Sequence, residues 1–289
     1  MSSRPPWQER NYVTQVILPA LFSKKEGQRS TAPPAYPELS SDQLCITWIG
    51  HASFLIQTAK HNILIDPNWA NWLAVIKRIR HAGVEIDHLP NIDLVLITHA
   101  HFDHLNRRSL RRIAQDQPII VPNGVSSLVH NLGFEQVHEM SWWDTHHWND
   151  LTITFTPAKH WGARRVTDKQ RGYGGFCIEH QGRSLYACGD SAWFDGFQEI
   201  GERLQPQIAL LPIGAYDNPS GKDHHISPED AVRAFQDLGA ETFIPMHYGT
   251  YRMSYEPVDE PPQRLQTAAE IVGCLDKVHF LTEGEPKVF

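Results

Sequence analysis

The segment from residue 98 to residue 104, with the sequence THAHFDH, concentrates side chains that bind metal ions. His99 and His101 can point to one side of a tight loop, while Asp103 and His104 point to the other. The chain has 17 histidines in 289 residues, more than packing needs. Neutral imidazoles with a carboxylate suit zinc, and the absence of cysteine from the segment disfavours an iron–sulfur cluster or a structural zinc site. The segment therefore predicts halves of two adjacent metal sites rather than a solvated polar loop.

This spacing resembles the H-x-H-x-D-H signature of the metallo-β-lactamase superfamily, whose αββα fold carries its metal site at the sheet edge. The resemblance implies three more ligands, His160, Asp190 and His247, each just past the end of a predicted strand. It also implies two divalent ions, zinc being the expected metal and manganese or iron the alternatives. By resemblance, one metal is held by His99, His101 and His160, the other by Asp103, His104 and His247, and Asp190 bridges them.

Five stretches resemble one branch of this superfamily, the N-acyl-phosphatidylethanolamine phospholipase D-like proteins and their bacterial relatives. They are WIGHAS at 48–53, HW at 160–161, GD at 189–190, PIGAY at 212–216 and HISPEDAV at 225–232, and the resemblance extends from about residue 44 to the C-terminus. In that family the histidine matching His225 lies at the active site near the substrate phosphate, which implies a catalytic role for His225. The family enzyme has glutamine where this chain has His224, so the role of His224 stays open.

Four other residues are candidates for orienting a ligand or contacting the substrate. Asp66 ends a predicted strand and can either orient a ligand histidine or cap a turn. His51 follows a strand and a glycine, and either lines the site or is structural. Tyr216 is compatible with an apolar groove for an acyl chain or with a core position. Arg164 begins a basic loop that ends at Arg171 and that either attracts an anionic substrate or is solvated.

The elements that must position these side chains alternate strands with helices in each half of the chain. Residues 93–98 form a continuous apolar run typical of a strand buried on both faces. Two β-rich halves, each with helices after its strands, favour two sheets face to face with helices outside. With the resemblance, this predicts an α/β fold, a four-layer αββα sandwich in a single domain (43–289), preceded by an irregular arm (1–42) lying on it. The predicted strands are 44–49, 53–58, 62–66, 93–98, 119–121, 151–156, 175–179, 184–188, 208–212, 242–246 and 278–281, and the predicted helices are 107–115, 125–132, 194–203, 228–238 and 262–274.

The composition of the chain narrows the classes of partner. Asp and Glu number 33 against 26 Lys and Arg, a net charge of −7 that disfavours a nucleic-acid ligand. No apolar stretch reaches roughly 18 residues, so no transmembrane helix is expected. Four cysteines outside any C-x-x-C pair predict free thiols in a reducing, cytoplasmic compartment. The resemblance implies a small-molecule or lipid phosphodiester as substrate, and peripheral membrane contact and homo-oligomerisation stay open.

The ligand set together with the resemblance predicts a dinuclear metal hydrolase, and the resemblance implies that it is a phosphodiesterase of the phospholipase D-like type. Two cations bridged by Asp190 would lower the pKa of a shared water towards about 7, and the resulting hydroxide would attack phosphorus. Asp103 would orient this nucleophile and take its proton, and His225 would stabilise the phosphoryl oxygens or the leaving group. The alternatives are a lactonase or ester hydrolase of the ascorbate-phosphate lactonase type, and a metal-bound lipid-binding protein without turnover.

Overall fold

Two β-sheets build the centre of the computed structural model, which describes residues 10–27, 29–165, 168, 170–218 and 223–289. The first sheet consists of β1 (Cys45–Gly50), β2 (Ser53–Gln57), β3 (Asn62–Ile65), β6 (Leu94–Leu96), β7 (Ile119–Pro122), β8 (Val137–Met140) and β15 (Pro286–Val288), in the order β15-β1-β2-β3-β6-β7-β8. The second consists of β9 (Thr145–Trp148), β10 (Leu151–Thr156), β11 (Gly175–His180), β12 (Arg183–Ala187), β13 (Ile208–Pro212) and β14 (Thr242–Met246), in the order β14-β13-β12-β11-β10-β9. A separate hairpin joins β4 (Trp72–Leu73) to β5 (Ile76–Lys77).

One short helix precedes the first strand along the chain, and the other described helices lie between strands. The described helices are α1 (Leu18–Phe22), which continues a π-helical turn at Val13–Ile17, α2 (Arg107–Ile113), α3 (Ser126–Val129), α4 (Gly196–Leu204), α5 (Pro228–Leu238) and α6 (Glu260–Val272), with 3-10 turns at Ile86–His88 and Leu275–Lys277. Ser227 caps α5 by accepting a hydrogen bond from the Asp230 amide. No helix among the described residues is both long and apolar enough to cross a lipid bilayer.

The first sheet alternates its side chains between two apolar cores, as the period of two in a strand requires. On β2, Phe54 and Ile56 face the central core, while Leu55 faces the opposite side together with Leu110 of α2. The second sheet contributes Phe155 to the same central core as Phe54. Helix α5 packs against both α4 and α6, and it also packs on β13. The predicted four-layer αββα sandwich is therefore confirmed.

The structure differs from the sequence prediction at both ends of the chain. The segment Val13–Phe22 is helical, so the predicted arm (1–42) is not irregular throughout. Its described part does lie on the domain, because the Tyr12 hydroxyl donates to the carbonyl oxygen of Met253 at 2.9 Å. The predicted strand at 278–281 is wrong. Val278 forms only an isolated bridge, and the last strand is β15, which pairs antiparallel with β1.

Candidate metal centre

The predicted ligands reach one place in the molecule because they follow the ends of strands from both sheets. The loop after β6 carries the segment 98–104, and the loops after β10, β12 and β14 carry the remaining three ligands. Tight backbone turns aim these side chains. Asp66 and His247 have φ of +44° and +61°, values that non-glycine residues seldom adopt and that cluster at functional sites. Gly189 has φ +65°, and a Cβ there would lie 2.8 Å from the carbonyl oxygen of Gly174, so only glycine fits before Asp190.

One cluster of ligand atoms contains His99, His101, His160 and Asp190, with all four atoms within 4.8 Å of one another. His101 Nδ1 lies 2.9 Å from His99 Nε2 and 3.2 Å from His160 Nε2. Asp190 Oδ2 lies 3.6 Å from His99 Nε2 and 3.8 Å from His160 Nε2. Three imidazoles and a carboxylate thus converge as the sequence predicts, in an arrangement able to bind a metal ion.

A second cluster contains Asp103, His104 and His247, which the sequence predicts, together with His51. Asp103 Oδ2 lies 3.0 Å from His51 Nε2 and 3.3 Å from His247 Nε2. All four side chains are buried. The fourth member, His51, lies among these side chains, and its Nε2 faces the Asp103 carboxylate.

The carboxylate of Asp190 is shared between the two clusters. Its Oδ2 lies 3.2 Å from His104 Nε2 as well as near His99 and His160, while its Oδ1 lies 3.2 Å from His247 Nε2. The side chain is almost fully buried. Asp190 therefore occupies the position between two groups of imidazoles that the resemblance assigns to a bridging ligand.

The unpartnered atoms of the site fit divalent cations. Buried polar groups normally form hydrogen bonds, because an unpaired one costs free energy. Here both oxygens of Asp190 lack a hydrogen-bond partner among the described residues, as do His104 Nε2 and His225 Nδ1. All of these atoms belong to side chains that meet at the two clusters. A group of convergent, unpaired donor and acceptor atoms of this chemistry matches the ligand preferences of zinc and similar ions.

The electrostatics of the site also favour cations. Burial lowers the pKa of His99 and His160 well below the ordinary value, so both imidazoles are in the neutral form that binds metal. Burial acts in the same direction at His247, but the carboxylates of Asp190 and Asp103 outweigh it and raise its pKa to about 9. Two buried carboxylates thus draw positive charge into the centre, and an ion would supply that charge directly.

Hydrogen bonds outside the clusters select which nitrogen of each imidazole faces inward. His160 Nδ1 donates to the carbonyl oxygen of His224 at 2.9 Å, which leaves His160 Nε2 free to face the cluster. His104 Nδ1 donates to Asp66 Oδ2 at 2.7 Å, which leaves His104 Nε2 free to face the second cluster. The Asp66 carboxylate also accepts from the Thr98 hydroxyl at 2.6 Å and from the Thr98 amide at 2.8 Å. Such partners orient metal-binding histidines and keep them in one tautomer.

His225 lies beside the shared carboxylate, as its predicted role requires. Its Nδ1 is 3.9 Å from Asp190 Oδ2, and its ring centroid is 5.2 Å from that of His247. Burial lowers the pKa of His225 to about 4, so the imidazole is neutral at physiological pH. His225 can therefore accept or donate a hydrogen bond at the edge of the centre.

Comparison with known proteins identifies the family. A model described as "Beta-lactamase superfamily domain" matches residues 61–248, a range that contains every predicted metal ligand. The chain belongs to this superfamily. N-acyl-phosphatidylethanolamine-hydrolyzing phospholipase D 1 of Caenorhabditis elegans is 32% identical over 84% of this chain and 74% of its own length. A UPF0173 metal-dependent hydrolase of Methanopyrus kandleri is 30% identical over 83% of this chain and 97% of its own.

The solved structures agree with the family assignment. Igni18, a metallo hydrolase from Ignicoccus hospitalis, superposes with a TM-score of 0.67 at 27% identity, over 86% of this chain and 98% of its own. The metallo-β-lactamase fold expected from the first motif is therefore confirmed.

Two predicted substrate residues of this superfamily member have other partners in the structure. Arg164 Nη1 donates to the carbonyl oxygens of Ala100 and Leu105, at 2.8 and 2.9 Å, and so braces the ligand-bearing loop. The Tyr216 hydroxyl donates to Glu260 Oε1 at 2.7 Å, on α6. These hydrogen bonds direct the side chains of Arg164 and Tyr216 to other groups and not to the ligand atoms of the two clusters. Of the rest of the basic loop, Arg171 bonds to Asp168, Gly124 and Ser127, and Lys169 lies outside the described residues.

Several residues that support the site were not predicted. Asn68 Nδ2 donates to the carbonyl oxygen of Asp103 at 2.7 Å, and Arg78 Nη1 donates to the carbonyl oxygen of Asn68 at 3.1 Å. Thr98 links Asp66 to His99, whose Nδ1 is 3.0 Å from the Thr98 hydroxyl. A signal for Thr98 exists in the sequence, since it is a polar residue between a buried apolar strand and the first ligand. No feature of the sequence around Arg78 indicates that it supports the site.

Proposed function

We propose that this chain is a metal-dependent hydrolase with a dinuclear centre that cleaves a phosphodiester of the phospholipid type. The observation that carries the proposal is the position of Asp190, whose two oxygens face both ligand clusters at once. A single-ion site would need only one of these clusters. Two groups of three imidazole and carboxylate side chains around a shared carboxylate are the arrangement expected for a pair of ions.

The residues that would hold the ions are those that the structure brings together. His99, His101 and His160 would hold one ion, Asp103, His104 and His247 the other, and Asp190 both. Bound divalent cations would supply polarisation of the phosphoryl oxygens and a nucleophile at neutral pH. Zinc suits this mixture of imidazole and carboxylate, and manganese or iron remains an alternative.

Two side chains of the site have the position and chemistry for proton transfer and substrate contact. Asp103 is held by His51 at 3.0 Å, so its carboxylate has a fixed direction from which to orient an attacking water and take its proton. The Nδ1 atom of His225 lies 3.9 Å from Asp190 Oδ2 and has no hydrogen-bond partner among the described residues. From there it would donate to a phosphoryl oxygen or to the leaving group.

A phospholipid-type substrate is supported by the relatives and by the surface around the centre. The C. elegans relative carries the name of a phospholipase D acting on N-acyl-phosphatidylethanolamine. Two large apolar side chains at the centre are about half exposed, Phe102 at 49% and Trp161 at 45%. The Trp161 ring is 4.4 Å from that of His101. An apolar rim next to the metal ligands suits a substrate that carries acyl chains.

A substrate panel tests the proposal. Zinc-loaded protein would be assayed on bis-p-nitrophenyl phosphate, an N-acylated phospholipid, a lactone and nitrocefin. We expect hydrolysis of the two phosphodiesters, and its loss in a matched Asp190→Asn preparation. Turnover of the lactone alone would favour the ester hydrolase instead. A protein that binds metal and lipid but hydrolyses no compound of the panel would favour the non-catalytic alternative.

A further inference from the structure

An exposed apolar ridge lies on the hairpin and helix next to the first sheet, outside the metal centre. Its side chains on the helix are Phe22, 84% exposed, and Leu18, and those on the hairpin are Trp72, 50% exposed, and Val75. Helix α1 packs against β5, and Lys77 Nζ bonds to the carbonyl oxygens of Leu21 and Ser23, so the two elements form one surface. Soluble proteins seldom expose large apolar side chains in such a group without a partner.

A basic pocket adjoins this ridge. Helix α2 has the sequence RRSLRRI, with four arginines and no acidic residue. Arg107, Arg108 and Arg112 line an open pocket of about 590 Å³ together with Trp69 and Trp72. Arg112 pairs with Asp87 and Arg107 bonds to Asn131, whereas Arg108 is exposed and has no partner among the described residues. The chain as a whole has a net charge of −7, so this is a local concentration of positive charge.

The pocket also connects the ridge to the metal centre. Arg164 lines the same pocket, and its guanidinium lies 4.2 Å from the ring centroid of Phe102, which stands between the ligands His101 and Asp103. The apolar rim of the centre, the arginines and the ridge are therefore neighbours on one continuous surface. Lys24 and Lys25, which follow Phe22 after Ser23, add positive charge at the far end of this surface.

We propose that this surface docks on an anionic lipid bilayer, with Phe22 and Trp72 inserted at the level of the headgroups and the arginines against lipid phosphates. Aromatic side chains at the depth of the headgroups and cationic side chains beside them are the chemistry that such an interface needs. A protein partner would explain the apolar ridge but gives no reason for Arg108, which is exposed and has no partner among the described residues. Docking itself requires no turnover. The inference rests on the proposed function only where it assigns a purpose to docking, which is the delivery of a phospholipid to the metal centre.

Vesicle co-sedimentation of the full, metal-loaded chain tests the docking. The vesicles would be phosphatidylcholine alone, or phosphatidylcholine and phosphatidylglycerol in equal parts, each at low and high salt. We expect binding to the mixed vesicles, and about tenfold weaker binding at high salt or to phosphatidylcholine alone. The paired change Phe22→Ser with Trp72→Ser should weaken binding by about tenfold or more.

Matched controls exist on α6, where Ile271 and Val272 are 81% and 45% exposed. The paired change Ile271→Ser with Val272→Ser removes similar apolar area from a different face and should leave binding unchanged. For charge, Arg108→Glu should weaken binding to the mixed vesicles, and Lys277→Glu, an exposed cation next to α6, should not. All four variants should hydrolyse a soluble diester such as bis-p-nitrophenyl phosphate at the rate of the unchanged chain.

The outcomes separate docking from catalysis. Equal binding by the ridge variants and the α6 variants, or binding that ignores lipid charge, would overturn the docking surface and leave the proposed hydrolase intact. Absence of diester hydrolysis together with ridge-dependent vesicle binding would overturn the proposed function and leave the docking surface standing. A dimer in light scattering that Phe22→Ser with Trp72→Ser dissociates, with vesicle binding unaffected, would assign the ridge to a second copy of the chain instead.

Discussion

Asp66 and His104 are joined by a hydrogen bond of 2.7 Å from Nδ1 of the imidazole to Oδ2 of the carboxylate, and both side chains are fully buried. The bond crosses from the end of β3 to the ligand loop after β6, two neighbouring parallel strands. The same carboxylate accepts from both the amide and the hydroxyl of Thr98. Asp66 therefore holds the predicted metal ligand His104 in one direction and supports the loop that carries it, although it belongs to neither cluster itself.

The first prediction concerns this bond. Asp66→Asn should lower metal affinity by about 10- to 100-fold, because the amide no longer secures the tautomer that leaves His104 Nε2 free. Titration against a chromophoric chelator measures the effect, and circular dichroism checks the fold. Asp87→Asn, at an exposed carboxylate, is the control and should bind metal normally. Equal affinities of the two variants would show that Asp66 only caps a turn.

The second prediction concerns Asp190. Asp190→Asn retains the shape of the side chain but removes a negative charge that faces both clusters, so the chain should lose at least one of its two expected ions. Diester hydrolysis should fall by about three orders of magnitude, while the strands stay folded. Elemental analysis and activity would be measured on the same preparation. A variant that retains two ions and near-normal turnover would falsify the bridging role.

The third prediction separates His225 from His224. His225→Ala should lower kcat by about 10²-fold or more with metal content unchanged, on the scale of a lost proton donor. His224→Ala should be much milder, because His160 bonds to the backbone carbonyl of His224, which the substitution leaves in place. Loss of an ion in His225→Ala would instead assign His225 as a ligand, alongside Asp190 and His247.

The fourth prediction concerns Arg164 as a brace of the ligand loop. Arg164→Ala removes the donor to two carbonyl oxygens, of Ala100 and Leu105, and should lower the free energy of unfolding by about 2 kcal/mol. Thermal unfolding of the metal-free chain measures this. Arg165→Ala, at the exposed next residue, should have little effect. If Arg164→Ala instead raised KM for an anionic substrate without loss of stability, the substrate-contact interpretation would be restored.

The sequence by itself marked the segment 98–104 as metal-binding through its residue types and spacing, and the family resemblance implied the other three ligands, His160, Asp190 and His247, each of which follows a predicted strand. The structure brings all seven together, from His99 to His247, across both sheets. The αββα layering could likewise be predicted from the sequence, since two β-rich halves with amphipathic helices must bury their apolar faces against each other.

Only the tertiary structure decided which residues support those ligands. His51 meets Asp103, and Asp66 meets His104, across strands that the sequence does not show to be adjacent. The same holds for the final strand. The apolar run at 278–281 has the pattern of a strand. The strand that pairs with the free edge of β1 is nevertheless Pro286–Val288, which has little apolar pattern. Strand pairing depends on which edge the folded chain leaves open, and that is a long-range property that no local pattern contains.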